Sequence, residues 1–298
     1  MEPDNPEKCI QCPRYCQVDR ITSLGFCKAT NQMKINLYQL HFGEEPVISG
    51  TKGSGTIFFS HCNMKCVYCQ NYKISDWGNG QYYSTEQVAD IMLELQQKGA
   101  HNINLVTPTH YSLQIKEALI LAKKKGLNIP VVWNSNGYEN VEILQQLEGL
   151  VDIYLVDFRY WDDENAVKYS AANHYAETAK KAIMEMFRQT GNLKVDEDTE
   201  LAYRGVLIRL LILPENINGI QSVLHWIYEE IGNMAFISLM SQYYPTHRAD
   251  EYPEINRPIT REEYDYALHV MEGLGFENGF IQEMGITPEW TPAFVESQ

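Results

Sequence analysis

The 298-residue sequence has no cysteine after Cys69, no leader-like N-terminus and few cations for its size. Each absence excludes something. No run of about 18 apolar residues occurs, so no membrane-spanning helix is expected. The opening residues, MEPDNPEKC, lack the basic and apolar regions of a secretory leader, so a cytoplasmic location is expected. Lys plus Arg number 24 against 39 Asp plus Glu, a net charge of −15. That deficit counts against nucleic acid or an anionic membrane as a partner. Sequence repeats and low-complexity tracts are also absent. What remains is ordinary globular usage, 44% hydrophobic and 21% charged, enough for one large domain or two smaller ones.

The seven cysteines are Cys9, Cys12, Cys16, Cys27, Cys62, Cys66 and Cys69. An odd count, short spacings and no leader argue against a disulfide framework. Clustered thiols of this kind more often hold metal.

From Thr56 onward, short apolar runs alternate with helical patterns. Strands are predicted at 56–59, 103–107, 130–134, 152–157, 206–213 and 235–240, each rich in Ile, Val and Leu, as in a parallel sheet buried on both faces. Ser84 with Gln87 forms a capping box opening a helix that Gly99 ends. Further helices are predicted at 111–125, 140–148, within 164–190 as one long element, and at 218–231. Thr260 and Glu263 cap a helix over 260–274. Right-handed crossovers would wind six such units into a doubly wound sheet or a barrel. Six strands are too few for the eight-stranded barrel, so the expected fold is α/β, a partial (β/α)6 barrel of parallel strands with helices outside, plus a small N-terminal Cys-rich metal module. The expected division is 1–54 for that module and an extended connection (31–54), 55–245 for the barrel, and 246–298 for a C-terminal extension packed on it. The polar stretch 192–204 reads as an inserted loop, and the acidic N-terminus and 194–200 as solvated faces.

Cys62-x₃-Cys66-x₂-Cys69 follows directly on the first strand of the series, with Tyr68 before the last cysteine. Sites in α/β folds form at the carboxyl ends of strands. Three thiolates on one tight loop suit three irons of a [4Fe–4S] cluster, leaving the fourth iron open for a ligand. The competing reading is a zinc loop with His61 as fourth ligand, or free thiols.

This C-x₃-C-x-aromatic-C motif resembles that of the radical S-adenosylmethionine superfamily. Gly43-Glu44-Glu45-Pro46, Gly53 to Phe59, Cys69-Gln70-Asn71, Ile74-Ser75, Gly99 to Asn104, Val106 to His110 and Met240 to Tyr243 are similar to its pyruvate formate-lyase activating enzyme-like branch. The resemblance implies an oxidoreductase with a [4Fe–4S] cluster on Cys62, Cys66 and Cys69. In such enzymes the cluster cleaves S-adenosylmethionine reductively to a 5′-deoxyadenosyl radical, which abstracts hydrogen from substrate. It implies Tyr68 beside the adenine. It also implies an electron donor such as flavodoxin or ferredoxin, and a glycyl radical enzyme as a possible target.

Other cofactor contacts follow from position. Thr107 and Thr109 stand where relatives carry a Gly-Gly-Glu-Pro run. Asn134 and Asn136 lie in the polar turn after the third strand. Asp157 ends the fourth strand, with Arg159 two residues on. Arg209, inside the fifth strand, needs an anionic partner: the cofactor carboxylate or a buried acid such as Asp157. Gln242, at the end of the sixth strand, is expected to face the same end of the barrel, and Tyr243 and Tyr244 after it are candidates for the substrate mouth. His61, His110 and His41 are candidates near the cluster. His174, His225, His247 and His269 read as surface or packing residues.

Cys9-x₂-Cys12-x₃-Cys16-x₁₀-Cys27 supplies four thiols within 19 residues. They suit a zinc ion or a second iron–sulfur cluster, and spacing does not separate the two. Two rival functions remain: a radical enzyme acting on a small molecule, and a non-catalytic iron–sulfur or zinc redox protein.

Overall fold

A computed structural model describes residues 8–285 and 292–294. The acidic residues Glu2, Asp4 and Glu7, expected on a solvated face, lie outside the described residues. Ten strands occur among the described residues: β1 (Met33–His41), β2 (Ser54–Phe59), β3 (Gln81–Tyr83), β4 (Ile103–Val106), β5 (Val131–Ser135), β6 (Ile153–Asp157), β7 (Lys194–Val195), β8 (Ala202–Leu211), β9 (Phe236–Met240) and β10 (Asn278–Ile281). The helices are α1 (Pro46–Ser49), α2 (Tyr72–Ser75), α3 (Thr85–Gln97), α4 (Ser112–Lys124), α5 (Val141–Gln145), α6 (Asp163–Ser170), α7 (Tyr175–Thr190), α8 (Ile220–Glu230) and α9 (Arg261–Gly273).

The main path runs β3-β1-β2-β4-β5-β6-β8-β9-β10. From β2 to β10 every neighbouring pair is parallel. The fold is therefore α/β with a mostly parallel sheet, consistent with a partial barrel. Strands β2, β4, β5 and β6 are buried along their whole length, as sheets covered on both faces must be.

Side chains alternate between the two faces. Val132, Leu155 and Leu207 join Val47 and Ile48 of α1 in a small separate core. Two residues further along the same strands, and so on the same face, stand Asn134, Asp157 and Arg209. The inner face thus changes from apolar to polar towards the carboxyl ends. The opposite faces, with Trp133, Tyr154, Val156 and Ile208, build the large core shared with α3, α4, α7 and α8.

Four expectations need correction. Residues 31–54 are not an extended connection. They supply α1 and the nine-residue β1, which pairs antiparallel with both β2 and β3. The alternation Met33-Ile35-Leu37 was the overlooked signal. The sheet is therefore not purely parallel, and it has more strands than six: β10 adds a parallel strand beside β9. Stretch 192–204 is no simple loop, because β7 pairs antiparallel with the start of β8. Finally, 164–190 holds two helices, broken at Ala171 (φ 50°) and His174 (φ 53°), both left-handed. The break has a long-range cause. The carbonyls of Tyr169 and Ser170 accept from Val67 and Lys65 at 2.9 and 3.0 Å, so the end of α6 is capped by the cysteine loop. Both capping boxes, Ser84 with Gln87 and Thr260 with Glu263, are formed as expected. No helix among the described residues is long and apolar enough to cross a membrane.

Candidate active site

The loop after β2 carries Cys62, Cys66 and Cys69 and is tied down on several sides. Besides the α6 carbonyls, Val67 O accepts from Arg248 N at 2.8 Å and Ile74 O accepts from His61 N at 2.8 Å. Gln70 Nε2 donates to Gln242 O at 3.0 Å. All three cysteines line one cavity of about 220 Å³ at the carboxyl ends of the parallel strands.

Each sulfur meets a polar group from a different element. Ser170 Oγ donates to Cys66 Sγ at 3.0 Å, and Ser75 Oγ lies 3.2 Å from Cys69 Sγ. Met64 N and Asn136 Nδ2 donate to Cys62 Sγ at 3.4 and 3.5 Å. Arg159 Nη1 lies 3.9 Å from Cys66 Sγ. Burial first, then the neighbouring sulfurs of Cys66 and Cys69, push the Cys62 thiol up to about 12. Such a thiol stays protonated until a metal takes the proton's place.

The opposite wall is ionic. Arg209 Nε donates to Asp157 Oδ1 at 2.8 Å, its Nη1 to Glu44 Oε2 at 3.2 Å and its Nη2 to Asn134 Oδ1 at 2.6 Å. Arg159 Nη2 donates to Asp157 Oδ2 at 2.5 Å. Burial alone would raise the Asp157 carboxyl. The Arg209 and Arg159 guanidiniums outweigh it and hold that carboxyl below the ordinary range. Glu44 goes the other way: burial raises it against the pull of Arg209. Arg159 Nε is buried and has no acceptor among the described residues.

Tyr68 sits at the cavity wall, 4% exposed. Its hydroxyl lies 2.5 Å from that of Tyr160, which reaches Ser170 Oγ at 2.7 Å and through it Cys66. Its ring packs edge-on against Tyr243. Thr107 lines the cavity at φ 58°, a left-handed conformation rare for a β-branched residue.

Of the residues singled out in the sequence, Tyr68, Thr107, Asn134, Asn136, Asp157, Arg159, Arg209, His41, Gln242 and Tyr243 line this cavity with the three cysteines. Thr109, His61, His110 and Tyr244 are not among its lining residues. Thr109 donates instead to the buried Glu139. His110 Nε2 is 2.8 Å from Ser60 O. Sequence reasoning did not assign Glu44, Ser75, Tyr160 or Ser170 a part in the site. Glu44 and Ser75 stood within motifs already noted. Tyr160 and Ser170 come from a distant connection with no local signal.

Cys9, Cys12, Cys16 and Cys27 lie outside the cavity, in a segment (8–32) without helix or strand. All seven cysteines are free thiols. Among the described residues, no three His, Cys, Asp or Glu side chains are already gathered around one point as a metal-ion site.

A buried thiol loop thus faces paired arginines and acids across a cavity at the carboxyl ends of the parallel strands, in an α/β fold consistent with a partial barrel. Residues 56–227 match the family model of the Radical SAM superfamily, and the chain belongs to that superfamily. Uncharacterized protein MJ0674 of Methanocaldococcus jannaschii is 34% identical over 276 residues, 89% of this chain and 75% of that protein. Protein MJ0808 of the same organism is 22% identical over 297 residues, 92% and 80% of the two chains. Among solved structures, the [FeFe]-hydrogenase maturase HydG shares the fold, with TM-score 0.50 and 14% identity. The match covers 77% of this chain and about half (51%) of HydG. Membership of the superfamily implies a [4Fe–4S] cluster and S-adenosylmethionine cleaved by it. The donor set suits that pair: three thiols on one loop for the cluster, and a buried, unpaired Arg159 N–H beside them for an anionic ligand.

Proposed function

We propose that this chain is a radical S-adenosylmethionine enzyme whose cluster is held by Cys62, Cys66 and Cys69 and whose cofactor lies against the ionic wall. The carrying observation is that all three thiols, each with its own polar neighbour, open into the cavity that Arg159, Arg209, Asp157 and Asn134 line. When bound, the cluster and S-adenosylmethionine supply one-electron cleavage to a 5′-deoxyadenosyl radical for hydrogen abstraction.

The protein's own part is placement. Ser170, Ser75, Asn136 and the Met64 N–H would stabilise thiolate sulfur by hydrogen bonds. Arg159 would hold the cofactor carboxylate with its fork while Asp157 fixes the guanidinium. Arg209 is already engaged by Asp157, Glu44 and Asn134, so its role is to keep those groups in place. Asn134, Asn136 and Thr107 offer oxygens and amides to the ribose and amino groups. Tyr68 shields the cluster side of the cavity.

The resemblance to activating enzymes supports a glycine Cα–H in a partner protein as target. Gln242 and Tyr243 then line the entry for its loop, and a flavodoxin or ferredoxin serves as reductant. The test is anaerobic reconstitution, reduction, addition of S-adenosylmethionine and assay of 5′-deoxyadenosine. Product that vanishes in Cys66→Ala upholds the radical reading. A fully loaded cluster giving no product, and no EPR change on adding the cofactor, overturns it. Deuterium passing into 5′-deoxyadenosine from a glycine-deuterated glycyl radical enzyme separates the activase reading from small-molecule chemistry.

A further inference from the structure

The segment 8–32 has no regular structure, yet Gln11, Cys12, Arg20, Cys27 and Ala29 are buried. Its charge runs against the rest of the chain. Residues 8–34 hold Lys8, Arg14, Arg20, Lys28 and Lys34 against Asp19 alone, in a protein of net charge −15.

Two of these cations, the buried Arg20 and the half-buried Arg14, meet carbonyls and rings where a carboxylate would be expected. Arg20 is 7% exposed. Its guanidinium donates to the carbonyls of Ala29 (3.2 Å), His110 (2.5 Å) and Thr30, and lies 5.2 Å over the Tyr111 ring. Arg14 donates to Asn63 O (3.0 Å) and Ala171 O, and sits 3.6 Å over the Phe26 ring. Neither forms an ion pair with a carboxylate among the described residues. Carbonyls satisfy the N–H groups but not the charge, and a buried uncompensated cation costs several kcal/mol.

The groups in reach are thiols. Cys12 and Cys27 lie within electrostatic range of each other and of both Cys9 and Cys16, and Arg20 lies within range of Cys27. Backbone N–H groups already point at three of the sulfurs: Phe26 N at Cys16 Sγ (3.4 Å), Arg14 N at Cys12 and Ala29 N at Cys27. The last two are two residues beyond their cysteines, as Met64 N is beyond Cys62. Neutral thiols would leave the buried Arg20 uncompensated, whereas metal-bound thiolates would supply the missing charge.

We propose that Cys9, Cys12, Cys16 and Cys27 bind a second, tetrathiolate metal centre, one zinc ion or one iron–sulfur cluster. Arg20 is its counter-charge, and Arg14 docks the segment onto the cavity's cysteine loop. The docking route is continuous. Arg14 holds Asn63 O, next to Cys62, and Asn136 Nδ2 bridges Asn63 Oδ1 (2.9 Å) and Cys62 Sγ (3.5 Å). Arg20 holds His110 O, and His110 Nε2 meets Ser60 O. This centre does not depend on S-adenosylmethionine cleavage.

The test removes the first site from the full-length chain. Cys62→Ser/Cys66→Ser/Cys69→Ser protein, purified anaerobically, is analysed for zinc, iron and sulfide. About one zinc per chain, or about four irons with four sulfides, upholds the proposal and names the centre. Metal below a tenth of a site, with four thiols reacting freely under native conditions, overturns it. Wild-type protein guards against a misfolded variant: it must carry metal beyond one four-iron cluster, and Cys12→Ser/Cys27→Ser must lose only that excess. Four irons and no zinc in the wild type overturns the proposal. Arg20→Gln is expected to weaken retention against a chelator roughly 10-fold. Unchanged retention overturns the counter-charge role.

Discussion

The Cys62–Cys69 loop and the Cys9–Cys27 segment hold three and four thiols, and they are supported in opposite ways. The loop sits between β2 and α2. Its backbone is held by the end of α6 and by Arg248, and its sulfurs by Ser170, Ser75 and Asn136. The segment has only turns and leans on the barrel through arginines that reach carbonyls and rings. One is held by hydrogen bonds from several elements of the barrel. The other is held through a buried arginine, Arg20, that meets carbonyls and a ring and no carboxylate among the described residues. The lesson is that a reactive site is set on rigid elements, while a staple can be its own frame.

The sharpest break of this comparison is a pair of substitutions in one assay. Cys66→Ala should abolish 5′-deoxyadenosine formation, whereas Cys12→Ser should retain measurable product; equal loss in both would erase the distinction.

Next comes the ionic wall. Arg209→Leu strips Asp157, Glu44 and Asn134 of their shared donor, and urea denaturation should show a loss of about 3–5 kcal/mol. The sign with pH follows from Asp157, whose folded carboxyl is held below its ordinary value. A depressed acid adds stability above its unfolded pKa and loses it as pH falls through the folded one. The gap between wild type and variant should therefore be widest near neutral pH and close on acidification below about pH 4.

A smaller effect tests the loop's sulfur contacts. Ser170→Ala removes the donor to Cys66 and a partner of Tyr160, which should weaken cluster retention about 10-fold. With one hydrogen bond fewer to stabilise the reduced, more negative state, the cluster potential should move lower, read by redox titration with EPR. The smallest effect is at Thr107. Gly accepts its left-handed φ of 58° without a Cβ penalty, so Thr107→Gly should raise stability by about 1 kcal/mol in thermal unfolding. A fall instead would mean that the threonine side chain is packed more firmly than its backbone is strained.

How much was legible depended on how local the cause was. Capping boxes at Ser84 and Thr260 and the apolar runs of the parallel strands are written in adjacent residues, and these elements appear where expected. The split between α6 and α7 is not, because its cause is the Lys65 and Val67 N–H groups a hundred residues away. Strand β1 showed alternation but carries Lys34, Asn36 and Gln39, and only its pairing with β2 makes it part of the sheet. In the site, Asn134 and Asp157 were legible as polar residues closing apolar strands, and Arg209 as a lone cation inside one. Tyr160, Ser170 and the inward turn of Glu44 were not, since their partners are assembled by the fold.

The partial barrel also leaves a seam, and an open sheet with free edges is a template on which another chain can add a strand. Among the described residues the path ends on β3 and β10, three and four residues long. Gly279 of β10 approaches Ile237 O so closely that an added Cβ would meet it at 2.1 Å. Edges this short give an incoming strand few hydrogen bonds to copy. Among the described residues, the sheet thus offers a second copy of the chain little backbone on which to start a fibre.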